Sequence, residues 1–146
     1  MSVRQAPAQL NAMQSRIRDL LAAAEKPMSA YDVIDAMREH GRLAPPTVYR
    51  ALQKLIDEGL AHRLETQNAY VACQHGDAAH GARHDQGYGH AHRAGFMICR
   101  LCGKTHEFGD AEVDDMLARI AARENFAVER LAIEIQGLCA DCRKAA

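Results

Sequence analysis

Residues 45–73 read PPTVYRALQKLIDEGLAHRLETQNAYVAC. Pro45 and Pro46 set up a helix start, because the first turn has N–H groups without intrahelical partners and proline lacks that N–H. Val48, Leu52, Leu55 and Ile56 recur at helical spacing and give one buried face, and Gly59 supplies the stop. Thr47, Tyr49, Arg50, Gln53 and Lys54 are left on other faces. Leu60 to Glu65 and Ala69 to Cys73 are two short extended runs joined by Thr66-Gln67-Asn68, which predicts a hairpin.

Upstream, Leu10, Met13, Ile17, Leu20 and Leu21 predict a helix from about Ala8 to Lys26, stopped by Pro27. Ser29-x-x-Asp32 is a variant capping box ahead of Val33, Ile34 and Met37, and Gly41 is expected to end that helix. Helix, turn, helix and hairpin make the winged-helix arrangement, whose last helix enters a DNA major groove. Arg50 is then placed to pair with guanine O6/N7, while Thr47, Tyr49 and Lys54 are placed for phosphates. The pattern alone does not single out DNA, since three small helices and a hairpin occur in many domains.

Composition narrows the classes. A net charge of −1 argues against a generally basic nucleic-acid binder. The balance is nearly even along the chain, with nine basic against eight acidic residues in 1–72 and nine against eleven in 73–146. DNA contact must come from a few placed side chains. The N-terminus lacks the basic-then-apolar pattern of a signal peptide and no apolar run approaches spanning length, so the expectation is a cytoplasmic protein with no membrane partner. Five cysteines in that compartment, two pairs of them spaced C-x-x-C, point to metal ligation and not to a disulfide framework.

Residues 74–95 change character. Gly76, Gly81, Gly87, Gly89 and Gly95 punctuate a polar stretch holding His75, His80, His84, His90 and His92, without helical or strand periodicity. This predicts a hinge loop between a winged-helix domain at 1–73 and a second domain at 96–146. The second domain reads as α+β. Phe96 to Arg100 is extended, Asp110 caps a helix with Val113, Met116, Leu117 and Ile120 on one face, and Phe126 to Ile135 is a strand candidate. It is too small to bury a large core alone, so metal and dimerisation are expected to make up the shortfall.

Cys99-x-x-Cys102 and Cys139-x-x-Cys142 carry the strongest chemistry. Four thiolates on two knuckles match the tetrahedral preference of structural zinc, with Zn–S bonds of about 2.3 Å. Outside them stand Cys73 closing the hairpin, His62 on its first strand, His92 ending the loop and Glu107 after the first knuckle. A thiolate, two imidazoles and a carboxylate form a mixed tetrahedral set, weaker in its donors and spanning the junction of the two halves. A single histidine of this kind is ordinarily a solvated surface residue. The combination points to a metal.

Ser29-Ala30-Tyr31-Asp32 and Pro45-Pro46-Thr47-Val48-Tyr49-Arg50-Ala51-Leu52, with Phe96-Met97-Ile98-Cys99-x-x-Cys102-Gly103 and Gly137-Leu138-Cys139-x-x-Cys142, resemble the ferric uptake regulator family. The resemblance runs from about Leu10 to Cys142, and within the family it is nearest to the zinc uptake regulators. It implies a zinc-responsive repressor that binds double-stranded operator DNA as a homodimer. It also implies two zinc ions per chain: a structural one at Cys99, Cys102, Cys139 and Cys142, and a sensing one at His62, Cys73, His92 and Glu107. Tyr31 and Arg50 match positions implicated in base or DNA contact, with Tyr49 beside the phosphate backbone. Two departures stand out. The loop between Cys73 and His92 is longer and richer in histidine than this branch leads one to expect, so that His90 could replace His92 or extra zinc could bind. The histidine–aspartate cluster of the iron, manganese and peroxide sensors is absent, which with the thiolate of Cys73 favours zinc.

Rival readings fare less well. No thioredoxin-like βαβ surrounds either C-x-x-C pair. A zinc deaminase needs H-x-E with a later P-C-x-x-C, whereas His106 and Glu107 are adjacent and neither knuckle has the proline. An enzyme with a small-molecule substrate is therefore not expected. A zinc buffer would not need Tyr31 or the Pro45–Leu52 helix. A sister regulator responding to iron or manganese is the remaining alternative.

Overall fold

The computed structural model describes residues 9–74 and 94–145. Helix α1 (Ala12–Ala23) begins where Asn11 accepts from the Gln14 N–H at 2.8 Å and Gln14 Oε1 accepts from the Asn11 N–H at 3.0 Å. That reciprocal cap sets the start four residues later than the apolar spacing implied, and the chain is already extended at Ala24, before Pro27. Helix α2 (Ala30–Ala36) has the expected box: Asp32 Oδ2 accepts from the Ser29 N–H at 2.8 Å and Ser29 Oγ from the Asp32 N–H at 3.1 Å. Hydrogen bonds from Ser29 hold the Asp32 carboxyl below its ordinary range. The expected stop at Gly41 is corrected: α2 ends at Ala36, a 3₁₀ turn covers Arg38–His40, and Gly41 at φ 115° only redirects the chain.

Helix α3 (Pro45–Asp57) follows with Pro in its first turn, and Gly59 at φ 70° takes the left-handed conformation that ends it. Strands β1 (Ala61–Leu64) and β2 (Ala69–Ala72) pair antiparallel, Ala61 with Ala72 and Leu64 with Ala69. Tyr70 exchanges both backbone hydrogen bonds with Met28, at 3.0 and 2.7 Å, so the segment before α2 joins the hairpin. Ile17, Leu21, Val33, Val48, Leu52 and Leu55 form the buried core of this half. Each such side chain stabilises by roughly 1.5–3 kcal/mol relative to exposure.

In the C-terminal half, β3 (Gly95–Cys99) lies between β4 (Thr105–Phe108), antiparallel to it, and β5 (Ile133–Gly137), parallel to it. Helix α4 (Ala111–Arg123) supplies the crossover that a parallel pair requires, capped by Asp110, which accepts from the Glu112 and Val113 N–H groups. The strand expected over Phe126–Ile135 is corrected to Ile133–Gly137. Its ladder partner β3 begins at Gly95, which stands opposite Ile133, so among the described residues those before Ile133 have no strand to pair with there. Strand β4 and the short helix α5 (Ala140–Lys144) were not anticipated. Gly95 lies under the Phe108 ring: a Cβ there would stand 2.3 Å from it, so a larger residue would have to displace that ring.

Phe96 stands opposite both Glu107 and Glu134, so the alternation of strands puts these three side chains on one sheet face. That face receives the β1–β2 hairpin. Leu64 packs with Phe96 and Ile98, while no residue of α4 is fully buried. The fold class is α+β, a winged-helix half followed by a smaller α/β half whose buried core is completed by the wing.

Candidate metal centres and nucleic-acid interface

The first C-x-x-C leaves the end of β3 in a tight turn. The Gly103 N–H donates to Cys99 O at 2.9 Å, the Cys99 N–H to Lys104 O at 2.9 Å, and Gly103 adopts φ 74°. The second opens α5 with Cys139 as its N-cap, which places Cys142 one turn further on. The Arg100 N–H donates to Gly137 O at 2.9 Å and ties the two turns together. All four sulfurs lie within 4.8 Å of one another, with Cys102 and Cys139 Sγ 3.8 Å apart. A tetrahedron of sulfurs at about 2.3 Å from zinc has edges of about 3.8 Å, the separation of the Cys102 and Cys139 sulfurs, and the whole group is close enough to gather round that ion. Backbone N–H groups of Cys102 and Cys139 lower the Cys99 thiol to about 6, whereas hydrogen bonding with the Cys139 and Cys102 sulfurs pushes Cys142 up to about 12. Four sulfurs this close cannot all carry charge without a cation among them.

The second cluster joins the halves. His62 on β1, Cys73 just beyond β2 and Glu107 on β4 bring their ligand atoms within 4.8 Å of one another. His62 Nε2 lies 3.3 Å and Cys73 Sγ 3.8 Å from Glu107 Oε1. For zinc bound at about 2.0–2.2 Å by nitrogen and oxygen, the tetrahedral N···O edge is about 3.3 Å. The His62 ring is held against Phe96, centroids 5.3 Å apart. Glu107 is the single buried charged residue among those described, at 3% exposure. A carboxylate is removed from water at a cost of several kcal/mol unless cations or donors surround it. Thiolate, imidazole and carboxylate at that point suit a divalent metal. His92, the fourth expected donor, lies outside the described residues, as do His75, His80, His84 and His90.

Two residues without a signal of their own in the sequence complete the junction. Gln74 donates its backbone N–H to Glu107 Oε2 at 2.7 Å, and its side chain pairs with β4 at both ends: Oε1 accepts from the Glu107 N–H at 3.3 Å and Nε2 donates to Thr105 O at 3.4 Å. Glu134 on β5 accepts at the hairpin turn from the Glu65 N–H, the Thr66 N–H at 3.1 Å and the Thr66 hydroxyl. Desolvation opposes its ionisation, but the Thr66 hydroxyl and the two backbone donors outweigh it and hold the carboxyl below its ordinary value. Arg130 pairs with Glu65 beside it. Partners such as these are assembled only by the fold.

The expected DNA residues lie on α2 and α3 of the first half. Tyr31 in the first turn of α2 is 71% exposed, and Tyr49 and Arg50 are exposed near the start of α3, with Thr47 half-buried. Lys54 is further along α3, half-buried and paired with Glu58, so its charge is already shared.

Residues 9–136 match the family model of the ferric uptake regulator family. The Zinc uptake regulation protein of Escherichia coli (strain K12) is 36% identical over 124 residues, which cover 84% of this chain and 66% of that protein, just under two thirds. That of Mycobacterium tuberculosis (strain ATCC 25618 / H37Rv) is 33% identical over 134 residues, 89% of this chain and 91% of that one. A solved zinc uptake regulator complexed with zinc and DNA superposes with a TM-score of 0.81 at 33% identity, covering 97% of this chain and 87% of that one. The order of elements, the double knuckle and these likenesses agree: the chain belongs to the ferric uptake regulator family.

Proposed function

We infer that this chain is a zinc-responsive transcriptional repressor that acts in the cytoplasm, binding operator DNA as a zinc-loaded homodimer to control zinc homeostasis genes. The observation that carries the reading is the His62–Cys73–Glu107 cluster: two donors from the winged-helix half and one from the sheet, with a soft thiolate among them. The domain division is 1–73, a hinge at 74–95, and 96–146. Two zinc ions per chain are assigned. One is held by Cys99, Cys102, Cys139 and Cys142 and maintains the C-terminal half. The other is held by His62, Cys73 and Glu107 with His92 as fourth donor, and supplies a cationic tie between the halves. Exposed Met97 and Ile135, cross-strand partners on the sheet face opposite Phe96, are apolar surface that a second copy would cover.

Tyr31, Thr47, Tyr49, Arg50 and Lys54 form the DNA surface. Arg50 reads a base edge, Thr47 and Tyr49 hold backbone, and Lys54 adds a weaker phosphate contact because Glu58 shares its charge. Tying His62 and Cys73 to Glu107 fixes the reading head against the dimer, so both recognition helices meet half-sites spaced by whole helical turns. Linkage then requires that operator DNA tighten zinc at the second site. Competition of the loaded protein with a zinc chelator, with and without saturating operator, tests this. Equal zinc affinity in both cases contradicts the reading.

A further inference from the structure

We propose that Gln74 is a positioning residue that restricts Glu107 to a single metal-binding oxygen and thereby sets the metal preference of the junction site. The inference rests on the reading of His62, Cys73 and Glu107 as a metal centre. Glu107 Oε1 is the oxygen that faces His62 Nε2 at 3.3 Å and Cys73 Sγ at 3.8 Å. Oε2 is directed at the backbone of residue 74, whose N–H donates to it at 2.7 Å. A charge-assisted bond of that length resists the rotation that would bring Oε2 onto the metal as well.

The backbone of residue 74 stays in place because its own side chain clamps it. Gln74 Oε1 takes the Glu107 N–H and Nε2 reaches Thr105 O, so the side chain runs along β4 as a short extra strand would. This clamp stands directly after Cys73, at the first residue of the hinge. It therefore orients the thiol and the carboxylate together. A one-oxygen carboxylate beside a thiolate and imidazole completes a four-coordinate set, which suits zinc. A two-oxygen carboxylate raises the coordination number toward the five or six preferred by oxygen-seeking divalent ions such as Mn(II).

The test uses full-length dimer whose four-cysteine site has been filled with zinc, titrated with Co(II) as a spectroscopic probe and with Mn(II) in competition. Wild type is expected to give the intense visible bands of four-coordinate cobalt with thiolate-to-cobalt charge transfer. Gln74→Met keeps the stem but removes both side-chain hydrogen bonds. It is expected to retain the charge-transfer band while the visible bands weaken at least twofold and the Co(II)-over-Mn(II) preference falls at least tenfold. Gln74→Glu keeps an acceptor for the Glu107 N–H and is expected to retain the four-coordinate spectrum. Wild-type spectra and preference in Gln74→Met overturn the role of Gln74. A wild-type charge-transfer band that survives in Cys73→Ser overturns the metal-centre reading itself, and this inference with it.

Discussion

On the proposed function, base reading is expected to rest on a single residue, Arg50. Arg50 is exposed near the start of α3, where a guanidinium can present its fork to guanine O6 and N7. Arg50→Ala is expected to lose roughly 1–3 kcal/mol of discrimination at one base position per half-site, measured by binding to a panel of single-base operator variants. Retained wild-type preference would move base reading elsewhere. At the four-cysteine site the thiols differ: near pH 8 Cys99, lowered to about 6, is a thiolate before metal enters, while Cys142, raised to about 12, is still protonated. Zinc entry must then expel the Cys142 proton, so zinc affinity there should rise with pH. Calorimetry in buffers of different ionisation enthalpy counts the released protons. Zero release contradicts the assignment. The sequence displayed these ligands because C-x-x-C spacing and donor type are local facts. Gln74 was silent, since a glutamine becomes a clamp only when β4 lies beside it, and β4 itself is four residues without a strong apolar alternation.

Among the elements, the hairpin has the more surprising role. A wing is commonly considered beside DNA, yet the β1–β2 turn is occupied by Glu134, and Glu65 and Arg130 pair at the same place. The turn thus works as a strut between the halves. Glu134→Ala is expected to speed hydrogen exchange at the Glu65 and Thr66 amides at least about fivefold, roughly 1 kcal/mol once solvent screening is allowed for. Unchanged protection would show that the clasp does not form in solution. Because the Glu134 carboxyl is held below 4.5, its stabilisation is present above that value and is lost as pH falls through the lowered one. The clasp is therefore complete at neutral pH. Helices α1 to α3 and the hairpin were legible because capping residues, proline and apolar spacing agree there. The strand expected from Phe126 was misplaced because strand limits depend on the partner, and β3 begins opposite Ile133.

For the whole molecule, the two metal centres should differ in what their loss does. Cys102→Ser removes a ligand from a half with few buried side chains, whose metal free energy is also folding free energy. Loss of zinc, loss of the dimer and aggregation or partial unfolding are expected by metal counting and size-exclusion chromatography. Cys73→Ser leaves the core around Val48, Leu52 and Leu55 and the four sulfurs untouched, so a soluble dimer with one zinc fewer per chain is expected. The reverse pattern would exchange the roles of the two sites. The most direct measurement of the central claim is DNA binding against buffered free zinc, with Fe(II) and Mn(II) in parallel. It uses a fragment selected from random sequence by the zinc-loaded protein. Zinc is expected to strengthen binding of the wild type at least about tenfold, or about 1.4 kcal/mol. Fe(II) and Mn(II) at equal free concentration should not do so, and Cys73→Ser should not respond. Binding that ignores free zinc, or that Fe(II) or Mn(II) activates equally, would contradict the account.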